Sequence, residues 1–135
     1  MKNSAIFFDT IRKSLFGGKL RPSQVEGING ILTAMVEVGD GDQDTLAYSL
    51  GTAYHETGAR MVPVREGFAS TDAGARIAVS NLAKKRGPNS AVARYSKPAG
   101  PYGHVYYGRG HAQLTWLDNY ARSSADAGVD LVKNP

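Results

Sequence analysis

Two glutamates, Glu56 and Glu66, are the residues of this sequence best suited to paired acid–base chemistry. Cleavage of a glycosidic bond needs one protonated carboxyl group, which donates to the leaving oxygen, and one ionised carboxyl group, which activates water or attacks carbon. Glu56 is predicted to end a helix, where the negative end of the helix dipole suits a protonated donor. Glu66 follows Arg65, and the neighbouring cation suits an ionised base. The alternative is that both are ordinary surface or salt-bridged carboxylates.

A metal site is a different chemistry for the same segment, because His-Glu-x-x-His on a helix binds zinc in metalloproteases. Here His55-Glu56-Thr57 is followed by Ala59 at the position of the second histidine. The sequence also has no cysteine that could supply a thiolate ligand. We therefore expect neither a metal nor another cofactor.

The densest run of aromatic, glycine and hydrogen-bonding residues is Tyr106-Tyr107-Gly108-Arg109-Gly110-His111-Ala112-Gln113-Leu114-Thr115-Trp116. Its two tyrosines predict a short aromatic strand, and the alternation over 113–115 predicts the other strand of a small hairpin. The glycines allow the backbone to turn or to approach a ligand closely. The same run is equally typical of a turn that contains a buried Arg109 ion pair.

The elements that must position these residues are mainly helical. Apolar residues at helical spacing predict helices over 4–16, from Pro22 to the glycines near 39, from Asp42 to about Thr57, from Thr71 to about Arg86, and from Thr115 or Trp116 to Gly128. Ser23-x-x-Glu26 resembles a capping box for the second helix. Residues 87–104 contain three prolines and predict a long loop. The expected fold class is mainly α with a small β-hairpin.

Length and composition predict a single domain over residues 1–135, of ordinary apolar content and without disulfides. The net charge of +4 favours polyanionic partners such as nucleic acid, anionic lipid or a bacterial wall. We find no nucleic-acid motif and no apolar run long enough for membrane insertion. The basic residues are scattered apart from Lys84-Lys85-Arg86, which predicts a solvated helix end.

Four ordered motifs resemble glycoside hydrolase family 19, and in particular its phage endolysin and bacterial lysozyme-like branch. They are Ala53-Tyr54-His55-Glu56-Thr57, Pro63-Val64-Arg65-Glu66, the run 106–116 with Asn119-Tyr120, and Gly128-Val129-Asp130-Leu131-Val132-Lys133-Asn134-Pro135. The resemblance implies a lysozyme-like helical fold that cleaves β-1,4 bonds of peptidoglycan or chitin with inversion. It also implies a monomer that waits in the host bacterial cytoplasm before its release to the cell wall.

The resemblance also implies roles for individual residues. Glu56 matches the general acid, Glu66 is the candidate second carboxylate, and Thr115 matches the hydroxyl residue that holds the attacking water. The residues expected to bind substrate or to line the sugar cleft are Tyr107, Arg109, Gln113, Asn119, His55 and Tyr102. Arg109 is expected to support the site through an ion pair, and His55 and His111 to orient neighbours.

Two points stay open at this stage. Trp116 is a candidate sugar platform beside Tyr102 and Tyr107, although a sole tryptophan next to a helix start is more typical of a core. The family continues with further helices after the motif that matches Asn134-Pro135, so the resemblance implies either a fragment or a truncated relative. A truncated chain leaves a second function open, that of a catalytically weak or inactive glycan-binding protein.

Overall fold

A computed structural model describes residues 4–135, and the chain divides into two compact units, Met1–Val62 and Pro63–Pro135. The first unit contains α1 (Ser4–Ser14), α2 (Pro22–Val38) and α3 (Gln43–Glu56). The second contains β1 (Val64–Arg65), a 3-10 turn (Glu66–Phe68), α4 (Asp72–Arg86), α5 (Ala91–Tyr95), β2 (Arg109–Gly110) and α6 (Leu117–Ala127). The predicted class, mainly α with a small antiparallel β element, is confirmed. The single domain stays a prediction.

The core of the first unit is built from the apolar stripes of α2 and α3. Ile28, Leu32, Ala53 and Met61 are buried, and partly buried side chains of α1 pack against them. Gly27 allows the close approach of a backbone segment, because a Cβ atom at this position would overlap the carbonyl oxygen of Met61. The segment that follows α3 is therefore packed tightly onto α2.

Local capping explains where the helices of the first unit begin. Asp42 accepts hydrogen bonds from the backbone N–H groups of Asp44 and Thr45, as predicted for the start of α3. The predicted capping box at Ser23 was wrong. Instead Gln24 reaches back, and its Oε1 accepts from the backbone N–H of Arg21 at 2.8 Å.

The core of the second unit lies between α4, α5 and the extended segment before β2. Its buried residues are Ala75, Val79, Val92, Val105 and Tyr107. The helix α5 lies inside the stretch that was predicted as a loop. Its N-cap is Ser90, and its single turn buries Val92. A helix of five residues is too short to show helical periodicity in the sequence.

The β element differs in detail from the predicted hairpin. The two strands pair antiparallel with Val64 opposite Gly110 and Arg65 opposite Arg109, so β2 pairs with a strand that is distant in sequence. The predicted turn is also present, because Arg109 and Leu114 form an antiparallel bridge. Tyr106 lies outside any strand, but its carbonyl accepts from the backbone N–H of Trp116 at 2.9 Å.

None of the helices that the structure describes has the length and apolar character needed to cross a membrane.

Candidate functional site

The carboxylate of Glu66 is held from two directions within the second unit. Its Oε1 accepts from the hydroxyl of Tyr95 at 2.7 Å, and its Oε2 accepts from the backbone N–H of Gly108 at 2.9 Å. The main chain is fixed as well, since the Glu66 N–H donates to the Gly108 carbonyl at 2.7 Å. Each carboxylate oxygen has two lone-pair sites, so each can accept one more hydrogen. The carboxylate is therefore oriented and can still bind a water molecule.

The Tyr95 hydroxyl is a stable donor to this carboxylate. Burial and the hydrogen bond to Glu66 together raise the pKa of Tyr95 well above its usual value of 10.0. The phenol therefore stays protonated across the neutral range. No sequence pattern predicts this contact, because Tyr95 belongs to the short helix α5 inside the stretch that was predicted as a loop.

The turn that follows β2 brings Gln113 and Thr115 to the same place. An added Cβ at Gly108 would lie 2.6 Å from Gln113 Oε1 and 3.3 Å from Thr115 Oγ1. Gly108 also supplies the N–H that binds Glu66. Only glycine at position 108 leaves room for the side chains of Glu66, Gln113 and Thr115 around this backbone segment.

Hydrogen bonds within the turn fix its polar side chains. Gln113 Nε2 donates to the carbonyls of Val64 and Gly110, and the Thr115 hydroxyl donates to the Gln113 carbonyl at 2.7 Å. Asn119 in turn donates to the Thr115 carbonyl at 2.8 Å. Because the Thr115 hydroxyl already donates, its oxygen is left to accept a hydrogen from a ligand or from water.

Two residues of this turn have backbone conformations that disfavour side chains. Gln113 has φ 50° and Trp116 has φ 79°, both in the left-handed region. Such conformations cost about 1–3 kcal/mol and are concentrated at functional sites. Sequence rules assign these positions to glycine, so the sequence did not predict them.

The strained conformation places Trp116 at the surface rather than in a core. Its side chain is 36% exposed, and it packs edge-on against Tyr95, with the ring centroids 5.2 Å apart. The Arg94 guanidinium lies 5.8 Å from the centre of the Trp116 ring. A partly exposed indole therefore adjoins the tyrosine that binds Glu66.

Tyr107 forms a buried support instead of an open cleft wall, and the partly buried Arg109 packs against it. The Tyr107 side chain is 0% exposed, and the Arg109 guanidinium carbon lies 3.6 Å from its ring centre. Arg109 also donates to the Val105 carbonyl and to the Tyr120 hydroxyl, each at 3.1 Å. This arrangement leaves no face of the Tyr107 ring for a sugar.

Asp72 is the acceptor on which this support converges. One of its oxygens, Oδ1, accepts from Tyr107 at 2.7 Å and from Arg109 at 2.9 Å, and the other lies 2.7 Å from Arg76 Nε. Partial burial opposes ionisation of Asp72, but the hydrogen bonds from Tyr107 and Arg109 and the charge of Arg76 outweigh it and lower its pKa. Burial and the bond to Asp72 raise the pKa of Tyr107 to about 12. The ion pair expected for Arg109 is therefore present.

Tyr102 lies in a separate turn of the second unit, closed by the bridge between Ala99 and His104. Its ring is stacked on His104 with centroids 6.1 Å apart, and its side chain is 48% exposed. His111 is partly buried in the turn after β2. Of the expected platforms, Tyr102 and Trp116 present exposed rings.

Glu56 and His55 belong to the first unit, at the end of α3. Glu56 is the last helical residue and is half-buried, whereas His55 is exposed. Thr57 follows as the C-cap and is completely buried, with its hydroxyl donating to the Ala53 carbonyl and accepting from the Met61 N–H. The helix-end position predicted for Glu56 is confirmed.

Among residues 4–135, no three or more histidine, cysteine, aspartate or glutamate side chains are grouped so that they could hold a metal ion. Comparison of the chain with known proteins finds no matching family model, no matching curated protein and no matching solved structure.

Proposed function

We propose that this chain is a glycoside hydrolase that cleaves β-1,4 bonds in peptidoglycan or a chitin-type polysaccharide, with inversion at the anomeric carbon. The proposal starts from the ordered motifs that resemble glycoside hydrolase family 19. It implies an endolysin-type enzyme that acts on the bacterial cell wall as a monomer without a cofactor.

The observation that carries the proposal is that the Glu66 carboxylate and the Thr115 hydroxyl both lie close to Gly108. Glu66 Oε2 accepts from the Gly108 N–H, and Thr115 Oγ1 would lie 3.3 Å from a Cβ atom added there. Each group has lone pairs beyond those used in the hydrogen bonds described above. A water molecule between them would donate one hydrogen to each group, which leaves its own lone pair free to attack a sugar carbon. This is the arrangement that a general base needs.

In the proposed reaction Glu66 removes a proton from water while the water oxygen bonds to the anomeric carbon. The bond from that carbon to the leaving oxygen breaks at the same time, and the leaving oxygen takes a proton from the general acid, the role that the resemblance assigns to Glu56. Tyr95 and Gly108 act as positioning groups, because each binds Glu66 rather than the substrate. Trp116 and Tyr102 are the proposed platforms for sugar rings, because a sugar ring packs well against the face of an aromatic side chain.

The test is the release of reducing ends from purified peptidoglycan and from chitin. We expect wild-type protein to release them and Glu66→Gln and Glu56→Gln each to reduce the rate by about 100-fold or more, because each variant removes a proton-transfer group. Glu37→Gln is the matched control, since Glu37 is exposed on α2. Wild-type rates in Glu66→Gln would reject its assignment as the base.

Two further measurements examine the mechanism. An inverting enzyme acting on a β bond must first release the α-anomer, which proton NMR detects. A crystal structure with a bound sugar must place the two carboxyl groups about 6.5–9.5 Å apart. Binding of wild-type protein to peptidoglycan without any release of reducing ends would instead support a glycan-binding protein.

A further inference from the structure

The second unit contains a cleft whose lining is rich in basic side chains. The cleft has a volume of about 480 Å³, within the range of about 300–1,000 Å³ that is typical of ligand sites. Arg65, Arg76, Arg109 and Lys133 line it, and Asp72 is the one acidic side chain in the lining. Arg65, which lines the cleft, directly precedes the proposed base Glu66 in the sequence.

The charge of Asp72 is already balanced within the cleft. Its two oxygens bind Arg109 and Arg76 at 2.9 and 2.7 Å. Arg65 instead donates to the Ser70 carbonyl, and neither Arg65 nor Lys133 has a carboxylate partner in the described part of the chain. Two cationic side chains of the described residues therefore line one cleft without an ion pair to a carboxylate side chain.

The backbone that carries Lys133 is fixed at the edge of the cleft. Its carbonyl oxygen lies 3.0 Å from His104 Nε2, and the carbonyl of Val132 accepts from the Tyr106 hydroxyl at 2.8 Å. His104 itself belongs to the lining. These contacts hold Lys133 at the cleft although its side chain is exposed.

From this geometry we propose that the cleft binds carboxylate groups of the substrate, and that Arg65 and Lys133 are the residues that bind them. This proposal rests on the proposed function and selects between its two substrates. Chitin-type chains are neutral, whereas peptidoglycan carries carboxylates on its peptides. An arginine can bind a carboxylate with two parallel hydrogen bonds, and a lysine adds a point charge. The cleft thus makes peptidoglycan the preferred substrate.

The experiment measures co-sedimentation of the full chain with four insoluble polymers. They are whole bacterial walls, peptidoglycan stripped of teichoic acid, the stripped peptidoglycan with its carboxyl groups amidated, and chitin. We expect the stripped peptidoglycan to bind about tenfold more tightly than its amidated form or chitin, with an affinity that falls as salt is added. Equal binding to the stripped and amidated forms would overturn the proposal. Binding that disappears with the teichoic acid would assign the cleft to phosphate and would also overturn it.

Variants then assign the effect to the cleft. Arg65→Gln combined with Lys133→Gln should weaken binding to stripped peptidoglycan by about tenfold. Lys84→Gln combined with Lys85→Gln is the control, because it removes the same charge from exposed positions outside the lining. Equal losses in the two double variants would show a general charge effect and reject the cleft. Both pairs are exposed, and thermal unfolding verifies that the variants fold.

Reducing ends measured in the same samples separate this proposal from the proposed function. Selective binding without any release of reducing ends rejects the hydrolase and leaves the carboxylate cleft in place. Equal release from the stripped and amidated peptidoglycans, with equal binding, rejects the cleft and leaves the hydrolase in place.

Discussion

Tyr107 and Arg109 bind the same oxygen of Asp72, and the Arg109 guanidinium carbon lies 3.6 Å from the centre of the Tyr107 ring. The two residues are separated by Gly108, whose N–H points to Glu66. The backbone N–H that donates to the candidate base is therefore held on both sides by residues that bind Asp72. Tyr107 and Arg109 act in this structure as supports of the site.

Asp72→Asn should change how stability depends on pH. The folded protein lowers the pKa of Asp72 below its ordinary value of 3.8, so its contribution is complete above that value and is lost as pH falls through the lower folded pKa. The side chain is 45% exposed, so screening limits the contribution to on the order of 1 kcal/mol at pH 7. Urea unfolding between pH 7 and pH 2 measures it.

The matched control for Asp72 is Asp126→Asn, since Asp126 is exposed and has no ion-pair partner among the described residues. Wild type and Asp126→Asn should lose stability in parallel below about pH 4, whereas Asp72→Asn should lose less. Three parallel profiles would contradict the role assigned to Asp72.

Tyr95→Phe should lower turnover while leaving substrate binding nearly unchanged. The variant removes the hydroxyl that binds Glu66 Oε1, so the carboxylate loses one of its two orienting donors. Misorientation of a reacting group lowers kcat by about tenfold, and KM should change little. Steady-state release of reducing ends gives both constants.

Tyr106→Phe is the control for Tyr95, because it removes an equivalent hydrogen bond, to the Val132 carbonyl, in the same unit. Both variants should lose similar stability, about 1 kcal/mol each. If kcat falls equally in both, the effect of Tyr95→Phe comes from stability and not from the orientation of Glu66.

Thr57→Val should destabilise the first unit although the two side chains have nearly the same shape. The buried Thr57 hydroxyl donates to the Ala53 carbonyl at 2.6 Å and accepts from the Met61 N–H at 2.9 Å. Loss of both bonds inside the protein costs about 1–3 kcal/mol. Thr57→Ser keeps the hydroxyl and should cost less than Thr57→Val in urea unfolding; the reverse order would show that the methyl group matters more.

Gly27→Ala and Gly30→Ala lie one turn apart on α2 and should change stability in opposite directions. A Cβ at Gly27 would overlap the Met61 carbonyl oxygen, whereas a Cβ at Gly30 meets nothing within 4 Å. Overpacking should cost about 1–3 kcal/mol or more at Gly27. Higher helix propensity should add about 0.5–1 kcal/mol at Gly30. Thermal unfolding followed by circular dichroism compares them, and a neutral Gly27→Ala would contradict the tight packing.

The sequence predicted the elements that are set by local chemistry. Asp42 and Thr71 begin their helices through side-chain bonds to the first turn, and Gly128 ends α6 in the left-handed conformation. Such signals lie within a few residues of the feature that they determine. The mainly α class and the helix-end position of Glu56 follow from them.

The sequence could not predict the contacts that bring distant segments together. The pairing of β1 with β2 and the bond from Tyr95 to Glu66 join residues with no shared pattern. Trp116 illustrates the limit, because its exposure depends on a backbone conformation that few residues other than glycine adopt.

One of the two donors to Glu66 described above is a main-chain amide, which only proline at position 108 would delete. Other substitutions at this position therefore act by crowding Gln113 and Thr115. Shortening or lengthening the segment that contains Gly108, which directly precedes β2, would instead move the amide itself. The spacing of this segment, more than the identity of any one residue in it, is then what a functional variant must preserve.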